Sequence, residues 1–109
     1  MGNLEKNYLF NVHTPLGFVV HVTKEYWDVI ISEKHPVMRG AENKVKEALR
    51  DADQIRRSKS DLDVYLIYKK ERKNRWTCAV AKRISQSEGF LITAYPTDSI
   101  KEGEEIWKK

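Results

Sequence analysis

The chain is expected to fold as an α+β domain: an N-terminal β-hairpin, then two α-helices packed on one face of an antiparallel β-sheet meander. Three observations carry this expectation. Helical spacing of apolar residues is confined to residues 23–51. Period-two alternation dominates residues 62–95. The alternating runs are joined by short connections, which make neighbouring strands antiparallel. Segregated runs of strand and helix point to α+β and away from a doubly wound parallel sheet.

At 109 residues the natural count is one domain, 1–109, with residues 1–22 as a hairpin extension. Residues 1–6 read as a frayed end. Tyr8 to His13 and Phe18 to Val22 alternate as strands, and Thr14-Pro15-Leu16-Gly17 between them is turn chemistry. His13 and His21 lie near the hairpin's two ends without a third ligand at diagnostic spacing. Thr23 suits a helix N-cap with Glu25 in the first turn, and Tyr26, Trp27, Ile30 and Ile31 recur at helical spacing up to about Lys34. Pro36 disfavours helical dihedrals at His35, so the helix stops there. Ala41 to Asp51 is a second helix with Ala41, Val45, Ala48 and Leu49 as its apolar stripe and Glu42–Lys46 as an i,i+4 pair. Residues 54–58 read as a short extended edge.

The central element is the strand Gly89 to Pro96, whose proline cannot donate to a ladder. With Glu71 to Asn74 and Ser85 to Glu88 as loops, Ile67 faces Cys78, Tyr65 faces Val80, Val80 faces Thr93, Cys78 faces Tyr95 and Lys82 faces Leu91. That register predicts an apolar face of Val64, Leu66, Tyr68, Ala79, Ala81, Phe90, Ile92 and Ala94 under the helices. It predicts a mixed face of Tyr65, Ile67, Lys69, Trp76, Cys78, Val80, Lys82, Leu91, Thr93 and Tyr95. A slip of one residue would exchange them. The tail, 97–109, ends in Ile106-Trp107, and Trp107 is expected to pack on the sheet or a helix.

Composition bounds the function classes. Hydrophobic residues make up 40% and charged residues 33%, and no apolar run approaches the roughly 18 residues of a membrane span. The first residues carry no secretory pattern, and Cys78 is the one cysteine, so a reducing, cytoplasmic location without cofactor, metal or internal disulfide is expected. A net charge of +4 and a pI of about 9.2 favour an anionic partner. On the mixed face Tyr65, Tyr95 and Trp76 offer stacking surfaces, and Lys69 and Lys82, widened by Arg56, Arg57, Arg72, Lys73 and Arg75, can meet phosphates. The competing expectation is that these aromatics pack under the N-terminal hairpin.

The ordered set His35-Pro36 after a first helix, a second helix, Asp51-Ala52-Asp53-Gln54-Ile55, a tyrosine-rich strand, a strand with Lys82, and Ile92-Thr93-Ala94-Tyr95 resembles the barnase, EndoU, colicin and RelE superfamily of small nuclease-like domains, especially its phage and mobile-element branch. The resemblance covers roughly residues 20–107 and implies RNA bound on an open sheet face and cut without metal through a 2′,3′-cyclic phosphate. It implies catalytic roles for His35, Lys82, Thr93 and Tyr95. Arg56 or Arg57 matches the basic group of the pattern, and with Tyr65, Lys69 and Trp76 would bind RNA. A toxin-type or mobile-element RNase would have an antitoxin or immunity protein as partner, and would be a monomer or homodimer. Such cleavage needs a base for the ribose 2′-hydroxyl, an acid for the leaving 5′-oxygen and donors to the phosphate. The imidazole of a histidine exchanges protons near neutral pH, Lys82 and Thr93 can hold phosphate oxygens, and Tyr95 can stack or, with a lowered pKa, donate a proton. A non-catalytic RNA- or protein-binding module of the same fold is the alternative.

Overall fold

The computed structural model describes residues 8–109, and the frayed end expected at residues 1–6 lies outside them. The elements are β1 (Tyr8–His13), β2 (Val19–Thr23), α1 (Lys24–Val29), a π-helical turn (Ile30–Lys34), a 3-10 turn (Pro36–Met38), α2 (Glu42–Arg50), β3 (Gln54–Arg57), β4 (Val64–Arg72), β5 (Arg75–Arg83), β6 (Glu88–Thr97) and β7 (Glu104–Lys108). Among the described residues they form one seven-stranded sheet in the order β1-β2-β6-β5-β4-β3-β7. The expected α+β architecture and N-terminal hairpin are present.

The hairpin does not cover the sheet. β2 pairs parallel to β6 at Val19–Glu88, Val20–Gly89 and His21–Phe90, so the hairpin extends the layer sideways and the sheet is mixed. Gly89 permits this junction. A Cβ there would stand 2.6 Å from the Lys82 carbonyl oxygen and 2.9 Å from the Phe18 ring, so only glycine lets Phe18 seat on the strand. Residues 54–57 are no outer edge either, because β3 lies between β4 and the tail strand β7. β6 also runs past its proline to Thr97. Among the described residues it has no strand neighbour on the β2 side beyond Phe90, so the nitrogen of Pro96 needs no ladder partner.

Helix α1 starts as expected, with Thr23 Oγ1 accepting from the Tyr26 amide at 3.1 Å. It then widens into the π-turn, closed by the His35 amide donating to the Ile30 carbonyl at 2.7 Å. The buried sides of these helices, Trp27, Ile30, Val45, Ala48 and Leu49, pack with Tyr65, Ile67, Ala79, Ala81, Leu91 and Ala94 into the main core. Trp107 packs against the same core, as expected from its size. The Glu42–Lys46 pair does not form. Lys46 instead lies over the Phe10 ring at 5.8 Å, and Glu47 takes Arg50 at 2.7 Å.

The register corrects the two predicted faces. Arg72 pairs with Arg75 across a tight turn in which Asn74 takes a φ of 58°, and Glu71 is an extra residue in β4. The shift is one residue, so Tyr68 rather than Ile67 opposes Cys78, and Ala81 rather than Val80 opposes Tyr65. All of β4 is thereby turned over. Tyr65, Ile67 and Lys69 lie on the helix side, while Leu66 and Tyr68 join Cys78 and Val80 on the other. In β6, Ile92 is a second extra residue. Cys78–Tyr95 and Val80–Thr93 pair as expected, but Ala81 takes Leu91 and Lys82 takes Phe90. Leu91 therefore belongs to the core under the helices.

Lys69 shows what the slip does to a side chain. Its Nζ donates to Asp51 at 2.9 Å, and the same carboxylate accepts from Lys109 at 2.7 Å, tying the end of α2 to β4 and the C-terminus. The Lys109 and then the Lys69 hydrogen bond hold the Asp51 carboxyl down from 3.8 to about 2. A depressed carboxyl stabilises the fold fully above its unfolded value and loses that contribution as pH falls through the folded one. Urea unfolding of wild type and Asp51→Asn should therefore differ at pH 7, and the gap should close between about pH 4 and pH 2. An equal gap at both ends of that window would contradict the linkage.

Candidate functional site

The face of the sheet away from the helices carries a second, smaller apolar cluster of Leu66, Tyr68, Cys78 and Val80, flanked by Val64, Trp76, Ile92, Tyr95 and Ile100. It is aromatic as predicted, but less basic. Beyond Phe90 the β2 side of β6 is met by the π- and 3-10 turns. Tyr26 Oη donates to the Ile92 carbonyl at 2.8 Å, and Lys34 Nζ donates to that carbonyl at 3.3 Å and to Tyr26 Oη at 2.8 Å. These bonds cap an otherwise open strand edge. They also bring the end of the turn to the second face, where the half-buried His35 ring stands 5.2 Å from the Tyr95 ring, tilted by 42°. His35 and Tyr95, 60 positions apart, thus meet around the edge of the sheet.

Beside Tyr95 is a shallow cleft of about 160 Å³ lined by Tyr68, Tyr95, Thr97, Ser99, Lys101 and Glu102. Thr97 Oγ1 donates to the Ser99 carbonyl at 3.0 Å and shapes this bend. Lys101 is exposed and, among the described residues, enters no ion pair. Sequence reasoning missed Lys101, because the tail carried no periodicity to orient it. A signal was available in the cationic residue following shortly after Tyr95-Pro96-Thr97.

The other expected residues divide. Lys82, Thr93 and Tyr95 share the second face, since Lys82 alternates with Val80 and Cys78, the partners of Thr93 and Tyr95. Along the strand Lys82 is four residues from Cys78, about 13 Å at 3.3 Å per residue, and its Nζ is held by Asp61 at 3.1 Å. Lys82 is thus set apart from the His35–Tyr95 contact. Thr93 Oγ1 is buried with no hydrogen-bond partner and is sealed from a phosphate in this conformation. The Tyr95 phenol is half-buried beside Cys78. Burial first, then the neighbouring Cys78 thiol, push its pKa upward, the opposite of what an acid role requires. Burial likewise pushes Cys78 up to about 12, so its thiol is a core group and no nucleophile.

Arg56 is a staple. Its Nε donates to the Glu102 carbonyl at 2.6 Å, Nη2 to the Gly103 carbonyl at 2.8 Å and Nη1 to Gln54 at 2.9 Å, which anchors the bend carrying Lys101. Arg57 and Tyr65 pair with each other on the helix side, Nη2 to Oη at 2.9 Å, with the Tyr65 body buried. Of the five expected RNA-binding residues, Trp76 alone stays on the second face without a competing partner of this kind. His21 lies against the Tyr8 ring at 4.4 Å in the hairpin. No family model matches the chain, nor does any curated protein or any solved structure.

Proposed function

We propose that the chain is a metal-independent endoribonuclease domain, in which RNA lies across the second face of the sheet and His35 moves the proton. The observation that carries this reading is the placement of His35 against Tyr95, beside the cleft with Lys101. Tyr95 touches both partners, its ring meeting the half-buried imidazole of His35 and lining the cleft with the exposed, unpaired Lys101, so a base, a phosphate donor and a stacking surface each border one aromatic ring. In the step, the imidazole takes the 2′-hydroxyl proton, the 2′-oxygen bonds to phosphorus, the bond to the 5′-oxygen breaks, and that oxygen takes a proton from solvent. Lys101 offsets the charge gathering on the phosphate. Tyr95 and Trp76 hold bases through their rings, so the tyrosine serves as a platform and not as an acid.

A second reading, an RNA-binding module without cleavage, is favoured by the seclusion of Thr93 Oγ1 and the Asp61 grip on Lys82, which leave a single proton-transfer group at the site. One experiment separates the two. Purified protein incubated with RNA and excess chelator should release fragments with 2′,3′-cyclic phosphate ends. Salt-sensitive binding with intact RNA would replace the nuclease reading with the binding one.

A further inference from the structure

The tip of the β4–β5 hairpin concentrates charge. Of the seven residues Lys69 to Arg75, five are basic and one is acidic. Among the described residues Lys70, Arg72, Lys73 and Arg75 form no ion pair. Two of them border a cleft of about 140 Å³ lined by Val37, Met38, Ala41, Lys44, Glu71, Arg72, Arg75, Thr77 and Pro96. That is well below the roughly 300 Å³ of a site for a drug-sized ligand, but it admits a single compact group. Three cations, Lys44, Arg72 and Arg75, stand around it against one carboxylate. That carboxylate, Glu71, already accepts the Thr77 hydroxyl at 2.8 Å.

The cleft's position gives it meaning. Pro96 follows Tyr95, and Val37 lies two residues beyond His35, so the cleft, on the helix side of the sheet with Thr77, is next along both segments to the His35–Tyr95 contact, and a strand would reach it around the end of β6. Val37 is 65% exposed and offers an apolar ledge to a base. Resting on the RNA reading of the neighbouring centre, we infer that the Lys44–Arg72–Arg75 cleft is a backbone-phosphate subsite. It grips the RNA strand as it leaves His35. The two guanidinium groups come from the two sides of one tight turn, so they approach a phosphate as a pair.

The test uses a single-stranded 2′-O-methyl RNA, which cannot be cut, with binding read by fluorescence anisotropy across a salt series. The variant Arg72→Ala/Arg75→Ala alters exposed positions only. It should weaken binding about tenfold or more, and make the dependence of log affinity on log salt shallower by about 0.7, the share of one phosphate contact on a single strand. Lys24→Ala/Lys59→Ala, also exposed, removes the same charge elsewhere and should change neither. Unchanged affinity and slope in the first variant, or an equal loss in the second, overturns the subsite, as does absence of binding by wild type at low salt. Binding that depends on the arginine pair, in a protein that leaves ordinary RNA intact, retains the subsite and removes the nuclease reading alone.

Discussion

On the proposed nuclease reading, replacing His35 by alanine is expected to lower RNA cleavage by roughly a hundred- to ten-thousandfold, the usual contribution of a positioned proton-transfer group, and to leave affinity for uncut RNA nearly unchanged. The reason is position. His35 is the one imidazole brought to the second face beside Tyr95, and no cysteine can substitute, since Cys78 is buried with its thiol pushed up to about 12. The fold should tolerate the change, because the backbone amide of His35, and not its ring, closes the π-turn. Two companion variants sharpen the result. Tyr95→Phe should cut nearly as fast as wild type, since burial and the neighbouring Cys78 push its phenol pKa upward, away from an acid role. Tyr95→Ala should lose most activity with its stacking surface. Rates for His35→Ala within threefold of wild type would take the histidine out of the mechanism. A large loss in Tyr95→Phe would reinstate the phenol as a proton donor.

The largest stability effect is expected at Gly103, in the bend between the Lys101 cleft and β7. Its φ is +76°, and a Cβ there would collide with the Arg57 carbonyl oxygen and stand 3.0 Å from its carbonyl carbon. The obstacle is backbone within the sheet and cannot swing aside. Gly103→Ala combines a left-handed residue penalty of about 1–2 kcal/mol with an overpacking cost of about 1–3 kcal/mol. The total, roughly 2–5 kcal/mol, corresponds to a Tm lower by about 10 °C or more in a domain of this size. Gly17 is the control. Its φ is +93°, but a Cβ there meets nothing within 4 Å, so Gly17→Ala should show the backbone penalty alone. Calorimetry of both variants tests the point, and equal Tm shifts would show that the collision relaxes at no cost.

The legible parts of this fold are those with a local cause. Thr23 capped the helix it was expected to cap, and Pro36 ended the helical run at His35. Helical spacing in Ala41 to Asp51 placed Val45, Ala48 and Leu49 in the core. Strand alternation assigned β5 correctly on both faces. The failures lie where two segments must agree on register. Glu71 and Ile92 each add one residue to a strand, and neither announces itself by composition, since a charged and a branched residue are equally at home in the ladder. One such residue was enough to carry Tyr65 and Lys69 from the expected RNA face to the helices.

Side-chain period and capping chemistry are properties of a few consecutive residues, so the α+β class and the helix limits could be read from the chain. Pairing across distant segments depends on which backbone finds which partner. The parallel docking of β2 on β6, the burial of Thr93 Oγ1, the engagement of Arg56 with the tail and the meeting of His35 with Tyr95 therefore emerged with the assembled sheet.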